Sequence, residues 1–216
     1  GAERDYPEAV SGFAKAAQQE YPRAQQRLGE CFEAGLGVEQ DEKKAVELYR
    51  AAHEQGYEAG TCALGVCYDR GVGVEQDMAE AARLYRRCAE EDHPKGQFLL
   101  GQSYEMGQGV ERDPAQAVEW YRRARENGYL PATCALGLCY ELGTGVEADP
   151  PRAVEFYREA AEGGYVPAQC NLGFCYYRGI GVEEDDVQAV HWFENSAQQV
   201  NARALNLLGQ CYDTGY

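Results

Sequence analysis

The chain is short of cations, of histidine and of long apolar runs, and each shortage removes a class of function. Its 20 Lys and Arg residues stand against 36 Asp and Glu, a formal net charge of −16 over 216 residues. Nucleic acids and anionic membranes are polyanions, so neither is expected as a main partner. The balance leaves two readings, a solubilising surface or a preference for basic partners. No apolar run approaches the roughly 18 residues that cross a bilayer, so direct membrane insertion is not expected. No signal peptide is visible, which is uninformative because the chain opens in the middle of a repeating pattern. The histidines are His53, His93 and His191, and neither C-x-x-C nor H-E-x-x-H occurs, so no metal or cofactor is expected. The Gly-rich segments lack the G-K-[ST] of a P-loop and follow helical patterns rather than strands. Nothing sets a histidine beside a cysteine or serine with an orienting partner, so the chain reads as no enzyme. A cysteine-dependent activity is the remote alternative.

What the chain does have is a period. The Leu-Gly step recurs at Leu28-Gly29, Leu64-Gly65, Leu100-Gly101, Leu136-Gly137, Leu172-Gly173 and Leu208-Gly209, each 36 residues after the last. Self-similarity at this spacing marks a solenoid, in which each unit buries its apolar stripe only against its neighbours. The copies fall at about 22–57, 58–93, 94–129, 130–165 and 166–201, flanked by half repeats at 1–21 and 202–216. The chain is therefore expected to form a single array over 1–216, and to be a fragment of a longer one. Asp5, Ala9, Phe13 and Ala16 match Asp41, Ala45, Tyr49 and Ala52, and Gly215 matches Gly179 inside a loop.

Within the fourth copy, Ala132, Leu136, Gly137 and Tyr140 lie on one face of a first helix of about 13 residues, ended by Gly143 in a positive-φ cap. Val146 is expected to fold inward from the turn. Asp149 caps a second helix with Pro150 at its first position, and Ala153, Phe156, Tyr157 and Ala160 form its buried stripe. Asp77 with Glu80, Asp113 with Gln116 and Asp185 with Gln188 suggest capping boxes. Gly137 lets the second helix approach closely. Twelve helices follow for the chain.

Nine cysteines are mostly explained by the period. Cys31, Cys67, Cys139, Cys175 and Cys211 follow the repeating Gly by two residues, Cys62, Cys134 and Cys170 precede it by three, and Cys88 alone stands where other copies have Ala52, Ala124 and Ala160. Equivalent positions of stacked repeats lie about 10 Å apart, too far for a disulfide, which needs less than about 7 Å. Small, reduced, buried thiols are expected, which leans towards a reducing compartment such as the cytoplasm.

The pattern L-G-x-x-Y followed by A-x-x-x-Y resembles the tetratricopeptide repeat, of period 34. The longer period and the linker G-x-G-V-x-x-D resemble the SEL-1-like repeat family more closely. That linker runs Gly35-Leu36-Gly37-Val38 to Asp41, and recurs from Gly71 to Asp77, Gly107 to Asp113, Gly143 to Asp149 and Gly179 to Asp185. The resemblance implies an all-α fold, a right-handed α-α superhelix, and a non-catalytic scaffold or adaptor that binds a protein or peptide in its concave groove. By the tetratricopeptide analogy, the first helices line that groove. Its partner-binding residues are expected to be Phe98, Met106, Cys134, Leu138, Leu142, Cys170, Phe174, Tyr177 and Arg178, apolar around Phe98, Leu138, Leu142, Phe174 and Tyr177, with Glu30, Glu33 and Asp69 making the N-terminal end acidic. Self-association is the alternative, through a last helix whose Leu205, Leu207 and Leu208 would stay partly exposed. Glu39, Glu75, Glu111, Glu147 and Glu183 read as a solvated ridge, Glu119 with Arg123 as an i,i+4 pair, and Arg50, Arg86, Arg122 and Arg158 as surface balance whose stems cover rings.

Overall fold

The computed structural model describes residues 5–199 and 201–213. Among the described residues there are twelve α-helices and no strand: α1 (Tyr6–Ala17), α2 (Pro22–Ala34), α3 (Glu42–Glu54), α4 (Glu58–Arg70), α5 (Met78–Glu90), α6 (Pro94–Met106), α7 (Pro114–Glu126), α8 (Leu130–Leu142), α9 (Pro150–Glu162), α10 (Val166–Arg178), α11 (Asp186–Ala197) and α12 (Ala202–Asp213). The expected class and helix count are both found; the expected loop at Gly215 lies outside the described residues. The chain divides into two compact units, Gly1–Arg112 and Asp113–Tyr216, so α1–α6 build one and α7–α12 the other.

Helices of 12 or 13 residues are marginal alone and depend on packing. The second helices α3, α5, α7, α9 and α11 bury small residues around a large ring. In α3 the buried set is Ala45, Val46, Tyr49 and Ala52; in α9 it is Ala153, Val154, Phe156, Tyr157, Ala160 and Ala161. The repeating Gly of the first helix receives that ring. A Cβ on Gly137 would stand 2.5 Å from Tyr157 Cε1, so no other residue lets α8 and α9 meet this closely. All nine cysteines are buried free thiols, as expected of small core residues.

The linker explains both of its glycines. The first, at positions such as Gly143 (φ +70°), is the left-handed cap of the first helix, and its N–H returns to the Cys139 carbonyl. The second packs on the N-terminus of the previous repeat's second helix. At Gly145 (φ +73°) a Cβ would fall 2.1 Å from the Pro114 carbonyl oxygen. Val74, in the same linker position as Val146, packs against the core of its unit. The capping Asp then works through two groups. Its side chain accepts the amide three residues on, as Asp77 does from Glu80 (3.0 Å) and Asp185 from Gln188 (2.9 Å). Its own N–H donates back to the first helix, from Asp77 to Tyr68 O (2.9 Å) and from Asp149 to Tyr140 O (2.7 Å). The reciprocal half of a capping box is therefore replaced, and the Glu80 carboxylate turns to Arg83.

Candidate interaction surface

The residues expected to line a groove divide by depth. Cys134 and Cys170 are 8% and 1% exposed and lie beneath the surface, because the neighbouring repeat closes over them. Asn171 Nδ2 reaches Cys134 Sγ (3.6 Å), and Cys170 joins Ala204, Leu207 and Cys211 of α12 in one apolar cluster. Phe174 and Tyr177 are half-buried against the same cluster. The Arg203 guanidinium lies 5.4 Å from the Phe174 ring centre, and Tyr177 meets Phe193 edge-on at 6.5 Å. Leu138 (43% exposed), Leu142 (64%) and Arg178 remain on the outside of the second unit. The Asn171–Cys134 contact sets α8 beside α10, and one turn further along both helices come Leu138 and Phe174. In the first unit, Phe98 on α6 is half-buried and Met106 is exposed. Of the three leucines expected on the last helix, Leu205 is exposed, Leu207 is buried and Leu208 packs against the cluster; Tyr212 of the same helix is exposed.

The acidic residues of this face are partly committed to the core. Tyr49 Oη donates to Glu33 (2.7 Å), Tyr85 Oη to Asp69 (3.3 Å) and Tyr157 Oη to Glu141 (2.6 Å). Burial and the carboxylate acceptor push the phenols of Tyr49 and Tyr157 far above their ordinary range, so they remain neutral donors. The last pair changes both members at once. Phe193 replaces the tyrosine, needs no acceptor, and meets Tyr177 where the other copies hold an acid.

The arginine column is equally structural. Arg86 donates to Tyr104 Oη (2.7 Å), Arg122 to Tyr140 Oη (2.9 Å) and Arg158 to Tyr176 Oη (2.9 Å), each tying a second helix to the next first helix. At the last position Glu194 takes the arginine's place and accepts from Tyr212 Oη (3.0 Å). Glu119 pairs with Arg122 at i+3 (2.5 Å) rather than with Arg123, whose guanidinium lies over Trp120 instead, 4.6 Å from the ring centre. The loop glutamates are exposed, as expected of a solvated ridge.

One grouping escaped the sequence reading. Cys62 of α4 meets Cys88 of α5 and the His93 ring at the start of α6. The signal was present: Cys88 departs from an alanine column, and His93 stands where other copies have Tyr57, Tyr129 and Tyr165. Among the described residues no group of three or more His, Cys, Asp or Glu is placed to hold a metal ion. No helix there is long and apolar enough to cross a membrane.

Comparison with known proteins agrees with the repeat. The Sel1 repeat profile matches residues 22–57, 59–93, 94–129, 130–165, 166–201 and 202–216. A Sel1 repeat protein from Oxalobacter formigenes is similar, with 34% identity, a TM-score of 0.84, and coverage of 99% of this chain and 90% of that one. A protective antigen present in uropathogenic Escherichia coli strains, displaying an SLR fold, shares 37% identity at a TM-score of 0.81, over 98% of this chain and 45% of its own. An immunity protein from Pseudomonas aeruginosa shares the fold at 21% identity and a TM-score of 0.67, over 91% of this chain and 75% of its own. Comparison with curated proteins gives no match.

Proposed function

The chain belongs to the Sel1 repeat family, whose members are generally protein-interaction scaffolds, and from that premise we propose that it binds a partner peptide or helix on the exposed face of its first helices. The observation that carries this reading is the pair Leu138 and Leu142, 43% and 64% exposed on α8. With the rims of Phe174 and Tyr177 and the exposed Arg178, they offer apolar anchoring beside a charge that would take a partner's carboxylate. Phe98 and Met106 hold the same register on α6, as contacts within the first unit. Cys134 and Cys170 support the face from below rather than touching a partner. Burying one large anchor contributes roughly 1.5–3 kcal/mol, so a few suffice for useful affinity after ordering costs. The scaffold reading assigns no catalysis and no cofactor.

The test is a paired capture from the source lysate with the wild type and a Leu138→Glu/Leu142→Glu variant, both shown folded by circular dichroism. A protein held by the first and released by the second supports the face. Equal retention moves the site to another surface. Concentration-dependent mass by light scattering, abolished by the same substitutions, would instead make the partner a second copy of the chain.

A further inference from the structure

We propose that Cys62 and Cys88 form a peroxide-oxidisable dithiol, a modification site that closes into a reversible disulfide between α4 and α5. The two thiols are 2% and 1% exposed, in contact, and belong to the same unit. Cys88 Sγ lies 3.3 Å from the Glu58 carbonyl oxygen, one turn before Cys62 on α4, which fixes its sulfur at the helix surface where Cys62 projects. A Cβ on Gly96 would stand 2.4 Å from Cys88 Cβ, so glycine there lets α6 close on α5 beside Cys88, as Gly60 lets α4 close on Ala52.

The surroundings favour chemistry over inert packing. His93 Nδ1 accepts the Gly96 amide (3.2 Å), which leaves the ring's other nitrogen as the N–H that Cys62 meets. Donation from Cys88 S–H, then from His93, with Lys95 nearby, acidifies the Cys62 thiol against the opposing effect of burial. Cys88 keeps the proton, shared between Cys62 sulfur and the Glu58 oxygen. Access comes from a cavity of about 130 Å³ lined by Gly56, Glu58, Thr61, Arg87, Cys88 and Glu91. A water occupies about 30 Å³, so a hydrogen peroxide molecule of little more than twice that size fits.

The step balances with hydrogen peroxide as oxidant. Cys88 sulfur attacks one peroxide oxygen, the O–O bond breaks, and the departing hydroxide takes up the Cys88 thiol proton and leaves as water. Cys88 is then a sulfenic acid. Cys62 sulfur attacks Cys88 sulfur, the S–O bond breaks, and the hydroxyl leaves with the remaining thiol proton as a second water. Two thiols are oxidised to one disulfide while peroxide is reduced to two waters. A small-molecule thiol reverses it by exchange, two equivalents going to their own disulfide.

Treating the native chain with hydrogen peroxide, alkylating it after unfolding and mapping tryptic peptides tests this. Peptide 51–70 carries Cys62 and Cys67, and peptide 88–95 carries Cys88. The expected product joins the two with loss of two hydrogens, fragmentation placing the link at Cys62, while the other seven thiols alkylate and dithiothreitol restores both peptides. Cys88→Ala, the residue of three other copies, is expected to slow Cys62 oxidation at least about tenfold; Cys67→Ala leaves the rate unchanged. Cys62→Ala should halt the reaction at a sulfenic acid on Cys88 that dimedone captures. Full alkylation of Cys62 and Cys88 under peroxide that oxidises a free thiol peptide overturns the proposal. So does a link through Cys67, a sulfinic acid without a link, or unchanged Cys62 oxidation in Cys88→Ala.

Discussion

A single hydroxyl decides what the acidic column of this chain is for. Tyr157 is 0% exposed, so its Oη needs a partner, and Glu141 supplies one at 2.6 Å. Read from the sequence, Glu33 and Asp69, two members of the same column, looked like the acidic lining of a groove, because an acid near a helix end is usually solvated. The contrary signal lay 16 residues on: the copy that loses the tyrosine, at Phe193, also loses the acid, at Tyr177. No helical periodicity links positions on two different helices, which is why this pairing needed the structure. Phe193→Tyr alone should bury an unpartnered hydroxyl and cost about 1–3 kcal/mol. Adding Tyr177→Glu should recover part of that loss, with a coupling of about 1 kcal/mol or more. Urea unfolding of the four variants measures it; a Phe193→Tyr protein as stable as the wild type would show that the hydroxyl finds another acceptor and that the acid column serves something else.

At the level of the helix and its linker, local rules were legible and their partners were not. Helix ends at Gly143 and Asp149 follow from turn and cap chemistry alone, and the structure places them there. The same rules suggested capping boxes, but the Asp149 N–H is already taken by Tyr140 O at 2.7 Å, a bond between helices that no local pattern encodes. The second linker glycine shows the same limit. Its place in the turn was readable, while its seat on the Pro114 carbonyl was not. The two roles should separate in thermal melts. Asp149→Ala removes one side-chain acceptor and leaves the backbone bond to Tyr140, so it should cost about 0.5–2 kcal/mol. Gly145→Ala meets both a left-handed backbone and an immovable carbonyl, and should cost more than about 2 kcal/mol. Equal losses, or a larger loss for Asp149→Ala, would mean that the linker tolerates a Cβ and that the cap is the stronger restraint.

Across the whole molecule the 36-residue period was fully legible, yet it carries no mark of the division at Arg112–Asp113, since the linker there repeats the pattern of the others. Handholds for a partner were legible only in part. Composition marked Leu138 and Leu142 as candidates, but depth decided against Cys134 and Cys170, and depth depends on what the neighbouring repeat covers. Charge is the property that composition alone supports at this scale. With 36 acids against 20 bases, repulsion acts throughout the chain, while the Arg–Glu pairs are surface contacts such as Arg125–Glu159, 40% and 43% exposed. Exposed pairs contribute little each, so salt should relieve more repulsion than it removes attraction. Between about 10 mM and about 0.5 M sodium chloride the melting temperature should therefore rise by roughly 2–5 °C, most of it below about 0.1 M, where the screening length shrinks to near 10 Å. Differential scanning calorimetry across that series measures it. A melting temperature that falls with salt would give the larger role to ion pairs: Arg125 holds Glu159 across two second helices through three N–H···O contacts, and a set of such ties would then outweigh the net charge.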